Sequence, residues 1–269
     1  MNYDQLKEAA AKRFKAYTAN YDLSQAKIAL KAGHTYQVAN LCQQIAREEG
    51  LSEENTLVAY YCGLLHDIGR FEQVTRFNTF YDAVSVDHAH LSCEILFGSE
   101  TIPAGERCFP GETMTGIIRE FVPDPAYDNY IRTAIWWHSS FRYPADFDER
   151  TRTFVDILRD ADKLDIFRVN LRTPLSEIHN IPMEEFYTSE ITPEVLEDFY
   201  KHSCILRSKK RTAIDNVVSY MSLYWELVYP TSRNIAKEAG YLNELANFKS
   251  KNPATMAELA RMREELGLE

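Results

Sequence analysis

Helical periodicity dominates the chain. In 34–49, "HTYQVANLCQQIAREE", Val38, Leu41 and Ile45 share a face, and Gly50 is a natural stop. Segment 53–67 repeats the pattern with Leu57, Val58, Tyr61, Leu64 and Leu65, and Gly69 then suits a C-terminal cap. Segment 84–97 carries Leu91, Ile95 and Leu96 and ends near Gly98. Segment 126–138 carries Tyr127, Ile131, Ala134 and Ile135, and segment 149–169 carries Phe154, Leu158, Asp162 and Asp165. Segments 212–229 and 253–267 are amphipathic again. Residues 98–111 read as a loop, and 170–192, with Pro174 and Pro182, as a linking stretch. No strand pair and no internal repeat stands out. The pattern predicts an all-α fold: a core domain over 22–170, an N-terminal helix over 1–21, and a C-terminal helical part over 171–269.

Composition narrows the functional classes. No apolar run approaches the roughly 20 residues of a membrane span, and "MNYDQLKEAAAKRFKAY" lacks the apolar stretch of a signal peptide. Five cysteines, odd in number and without a CxxC, predict reduced thiols and a cytoplasmic protein. A net charge of −10 argues against a nucleic-acid groove. It also means that an anionic substrate needs a local positive centre, which a metal supplies.

The stretch "YYCGLLHDIGRF" at 60–71 ends an apolar run with an imidazole beside a carboxylate. Burying that pair is costly unless further groups offset it. Such groups stand on inward helix faces elsewhere. His34 lines up with Val38 and Ile45, His88 with Leu91 and Ser92, His138 with Ile131 and Ile135, and Asp162 with Leu158 and Phe154. His90 lines up with Glu94 on a face that reads as solvated. His nitrogens and carboxylates converging from separate elements are the ingredients of a metal site. Singly, each histidine reads as a satisfied core residue, and Asp162 as a partner of Arg159 or Lys163.

His34, then "HD" at 66–67, then Asp162 within "DADKLD" resembles the HD superfamily of metal-dependent phosphohydrolases, with "LLHDIGRF" as its signature stretch. The likeness spans about 34–168. It implies an HD-domain-like helical bundle in which His34, His66, Asp67 and Asp162 hold a first divalent metal. "SVDHAHLSCEIL" and "AIWWHSS" resemble the added motifs of two-metal members, so His88 and His138 would hold a second metal or act on substrate. The metal's identity (Mn, Fe, Mg, Ni, Co or Zn) stays open. Ser139 stands where an "HHE" motif has its second His, and "RYP" at 142–144 where a "GYP" would stand. Both departures weaken the cyclic-dinucleotide phosphodiesterase subtype.

The implied chemistry is hydrolysis of a small phosphorylated substrate, a nucleotide among the candidates, by metal-activated water. Asp67, with two oxygens, would bridge the metals, and His88 or His138 would protonate the leaving oxygen. Lys163, which by resemblance contacts phosphate, reads equally as a solvated lysine. Arg70 either reaches a phosphate or complements a helix dipole. Arg142 could offset charge on the substrate. Arg76, Thr79 and Asp82 lie in a stretch that lines the pocket or merely crosses over. "RSKKR" at 207–211 reads as a solvated face, and Trp136 and Trp137 as packing. Two rivals remain: a di-iron oxygenase on the same His/Asp set, and a regulatory binding module.

Overall fold

A computed structural model describes residues 2–268. It is all-α, with no strand among the described residues. Two compact units divide the chain, residues 1–162 and 163–269. The N-terminal helix belongs to the first.

The first unit contains α1 (Tyr3–Thr18), α2 (Ala26–Glu48), α3 (Glu53–Leu65), α4 (Ile68–Phe77), α5 (His88–Phe97), α6 (Asp128–Trp137) and the start of α7 (Glu149–Arg172). Helix α3 lies at its centre, packed by α1, α2 and α6. The sequence explains why. "TLVAYYCGLL", residues 56–65, carries no charge and is buried on every side, the behaviour of a helix that is apolar all round. Gly63 lets α2 close in: a Cβ there would stand 2.7 Å from Ala39 Cα. Ser52 caps the start of α3 by accepting from Asn55 N.

Gly69 is not a helix cap. It sits in the first turn of α4, where α5 comes so close that a Cβ would lie 2.7 Å from Ser92 N and 2.8 Å from His88 O. Its N–H donates to Ser92 Oγ at 2.9 Å. Only two residues, His66 and Asp67, separate α3 from α4. The stretch 98–111 holds short 3₁₀ turns at Ser99–Thr101 and Ala104–Glu106 rather than plain loop. The face shared by His90 and Glu94 is not solvated either. Glu94 is fully buried, accepting from Ser99 Oγ at 2.7 Å and Cys108 N at 3.0 Å, and the His90 ring stacks on Trp136 at 3.7 Å.

The second unit continues from the end of α7. It holds α8 (Leu175–His179), α9 (Met183–Thr188), α10 (Pro193–Tyr200), α11 (Asp215–Ser222), α12 (Pro230–Glu238), α13 (Tyr241–Ala246) and α14 (Pro253–Glu265). Two short helices thus occupy the expected linking stretch, each starting directly after a proline that presets the first turn. Buried Asp215 ties the unit together by accepting from Thr192 N, Thr192 Oγ1, Arg211 N and Thr212 N at 2.6–2.9 Å. Within the basic run Arg207, Ser208 and Arg211 are exposed, as expected, while Lys209 pairs with Asp198 and Lys210 donates to Asn216. No helix among the described residues is long and apolar enough to cross a membrane.

Two expectations follow. Gly69→Ala pushes a methyl into backbone, so its thermal midpoint should fall by several degrees, about 1–3 kcal/mol of overpacking; an unchanged midpoint would contradict the close approach. In the second unit Tyr220 OH and His179 Nε2 share a hydrogen bond at 2.8 Å. Burial, then Lys210 and Arg207, lower the His179 pKa to about 4. The unfolded value is near 6.5, so the unfolded chain binds the proton first as pH drops. Stability should decline between about pH 6.5 and 4, and in His179→Gln the thermal midpoint should lose part of that pH slope.

Candidate metal centre

The junction between α3 and α4 builds the centre. His66 keeps helical angles at the end of α3, so its ring stays fully buried and Nδ1 approaches Gly63 O at 2.7 Å. Asp67 then leaves the helix (φ −106°, ψ 18°), and its carboxylate makes no cap for α4. It is buried and turned inward. His34 arrives from α2, His88 from the first turn of α5, His138 from the end of α6, and Asp162 from α7. The four imidazoles stand in a row, with centroids 5.3 Å apart for His34–His66, 5.1 Å for His66–His138 and 5.0 Å for His138–His88.

Asp67 stands between two groups of donors. Its Oδ2 lies 3.5 Å from His34 Nε2 and 3.4 Å from His66 Nε2, while Asp162 Oδ1 is 3.1 Å from His34 Nε2 and 3.9 Å from His66 Nε2. Its Oδ1 lies 3.6 Å from His88 Nε2 and 3.9 Å from His138 Nε2. Oδ1 is buried and has no hydrogen-bond partner.

The tautomers show what the centre fits. His138 Nδ1 approaches Ile135 O at 2.7 Å, and His88 Nδ1 approaches Asp82 Oδ2 at 2.6 Å. Both contacts require the proton on Nδ1, which leaves each Nε2 with a bare lone pair in the neutral ring. Yet these two Nε2 atoms face each other at 3.1 Å. Burial lowers the pKa of both rings, with Arg70 adding to it at His88. At His138 the neighbouring histidines add to burial and the value falls to about 3. Protonation therefore does not relieve the opposition, whereas a cation between the lone pairs does. Donors 2.0–2.2 Å from one cation stand roughly 3.0–3.6 Å apart, the scale of these separations. The triads His34–His66–Asp67 and Asp67–His88–His138 are each compact enough to share an ion.

Electrostatics keeps the carboxylates ionised. Burial pushes Asp67 up, but Lys31, His66 and Arg70 outweigh it and hold the carboxyl well below its usual range. At Asp162 burial is outweighed by the His34 hydrogen bond and by the other histidines. Asp82, despite burial, is held at about 2 by His88 and Arg70.

Side chains that no simple periodicity marks orient this set. Asp82 fixes His88. Gln73, fully buried, donates to Asp82 Oδ1 (2.8 Å), Ser85 Oγ (2.9 Å) and Val86 O (2.9 Å). Arg159 on α7 donates to the carbonyls of Trp137, His138 and Ser140 at 2.6–3.1 Å, clamping the end of α6 that carries His138. Such second partners hold metal-binding rings in place. Lys31, one turn before His34, reaches Asp67 Oδ2 at 2.5 Å.

The expected substrate cations divide. Arg70 is at the centre but pinned, its Nη1 donating to Gln73 Oε1, Phe80 O and Asp82 Oδ1 at 2.7–2.9 Å. It lies inside α4, so it does not complement the end of α3. Arg76 is engaged elsewhere, bonding Glu72 and Glu112 and covering the Phe109 ring. Arg142 is exposed and folds over Phe141. Lys163 follows Asp162 on α7; it is buried, not solvated, and falls in the second unit. Thr79 caps a turn at Tyr81 N.

Elemental analysis should find divalent metal in the purified protein. Asp67→Asn should release it from both donor groups, and His138→Ala from one only. Equal metal content in Asp67→Asn and the parent would contradict the shared role of Asp67.

Residues 32–166 match the family model of the HD domain. No curated protein and no solved structure matches the chain. The matched segment covers half the sequence and encloses every histidine and aspartate of the centre: this chain belongs to the HD domain family, whose members are mostly metal-dependent hydrolases.

Proposed function

We propose that the protein is a phosphohydrolase that uses one or two divalent cations to cleave a phosphate ester of a small molecule, nucleotides included, with water as nucleophile. The observation that carries this reading is the opposition of two bare imidazole nitrogens beside the unpartnered oxygen of Asp67. His34, His66, Asp67 and Asp162 would hold one cation; Asp67, His88 and His138 would hold the other. When bound, such a cation acidifies water to near neutrality and draws charge from a phosphoryl oxygen.

The chain's own groups supply the rest. Asp67 turns one oxygen to each donor group. His88 and His138, with pKa values lowered by burial, offer lone pairs, so ligation is favoured over proton donation. Asp82 and Arg159 keep those rings aimed. With a net charge of −10, an anion needs compensating charge, which a cation held by this cluster would supply. Five cysteines, odd in number and without a CxxC, suit a reducing, cytoplasmic setting.

The test is a screen of phosphomonoesters and nucleotides against the protein loaded in turn with Mn, Fe, Mg, Ni, Co or Zn. Phosphate release should require the cation and fall at least about a hundredfold in Asp67→Asn, the scale of losing several kcal/mol of charge stabilisation. Absence of phosphate release with every cation, together with substrate-dependent O₂ consumption by the iron form, would replace this reading with the oxygenase one.

A further inference from the structure

Resting on the phosphohydrolase reading, we infer that Lys31 is a substrate-binding residue of this centre, where its ammonium meets the phosphoryl group. Lys31 lies one turn before His34 on the same face of α2, the spacing that places two side chains side by side. Its Nζ is 2.5 Å from Asp67 Oδ2, the oxygen that also faces His34 and His66. A cation held among those donors would therefore lie beside the Lys31 ammonium, both drawn to the same carboxylate oxygen. Two like charges so close repel each other, and an anion that touches both relieves the repulsion. A phosphoryl oxygen is such an anion, and an ammonium is an established partner for it.

Arg70 is the other cation beside Asp67, with Nε 3.5 Å from Oδ1. Its Nη1 already bonds three acceptors that fasten the 80–85 segment to α4. Turning Arg70 to a substrate would break them, whereas Lys31 has a flexible stem and a side chain still 17% exposed. The Phe80 ring lies under both cations, 5.5 Å from Lys31 Nζ and 5.7 Å from Arg70. It guides the Lys31 stem without holding the head in a hydrogen bond.

The rival role is structural, with Lys31 only neutralising buried Asp67. The two roles separate in binding measurements that need no turnover. Calorimetry with Mn²⁺ should show Lys31→Met binding the ion about three- to tenfold more tightly than the parent, because a competing charge is gone. Orthophosphate should bind the Mn²⁺-loaded variant about ten- to a hundredfold more weakly, the value of one charge-assisted hydrogen bond, with Lys31→Arg restoring much of it. Unchanged orthophosphate affinity in Lys31→Met overturns the inference, and so does weaker Mn²⁺ binding. Amine acetylation of the parent protein, read by mass spectrometry, covers a variant that does not fold. Orthophosphate with Mn²⁺ should protect Lys31, and no protection overturns the inference. If no ester is hydrolysed while Lys31 still governs orthophosphate binding, the hydrolase reading falls and the Lys31 assignment stands. If esters are hydrolysed and Lys31→Met binds orthophosphate like the parent, the Lys31 assignment alone falls.

Discussion

A buried carboxylate facing four imidazoles from four different helices is the constraint on which the first unit is organised. Asp67 is ionised, and one of its oxygens has no hydrogen-bond partner. Two of the imidazoles turn bare nitrogens toward each other at 3.1 Å. Left alone, the opposed His88 and His138 nitrogens and the unpartnered Asp67 oxygen destabilise the fold, because polar atoms that have left water gain no hydrogen bond there. A divalent cation would convert the same groups into ligands, and its binding free energy would then add to folding.

The surrounding architecture holds this arrangement open. Helix α3 is sunk in the core, so the junction after it cannot drift. Gly63 and Gly69 bring α2 and α5 close on either side, and a methyl at either position would strike backbone. Arg159 locks the end of α6, and Gln73 and Arg70 lock the segment bearing Asp82. Rings held by packing and hydrogen bonds do not need to be ordered when an ion or a substrate arrives.

Much of this was legible in the sequence because a helix fixes side-chain direction by spacing. His34, His88, His138 and Asp162 share faces with core residues, and the structure brings all of them to Asp67. The fold class followed from the same period. What stayed hidden depends on distances between elements. Gly69 reads the same whether it ends a helix or admits a neighbour, and here it admits α5. Lys31 shares the inward face of His34 by its spacing, but nothing local records that Asp67 lies across from it. Glu94 reads as surface because a charged residue on a helix rarely stays buried, but Ser99 and Cys108 reach it from the 98–111 stretch, whose path the sequence leaves open. Arg76 has the composition of a substrate contact and instead meets Glu112, 36 positions away.

The central claim, that Asp67 is shared by two cation-binding groups, is tested most directly by anomalous diffraction from crystals grown with Mn²⁺. The account predicts two peaks, one among His34, His66, Asp67 and Asp162 and one among Asp67, His88 and His138, with a different oxygen of Asp67 directed at each. No peak within bonding distance of Asp67 at saturating Mn²⁺ would contradict it.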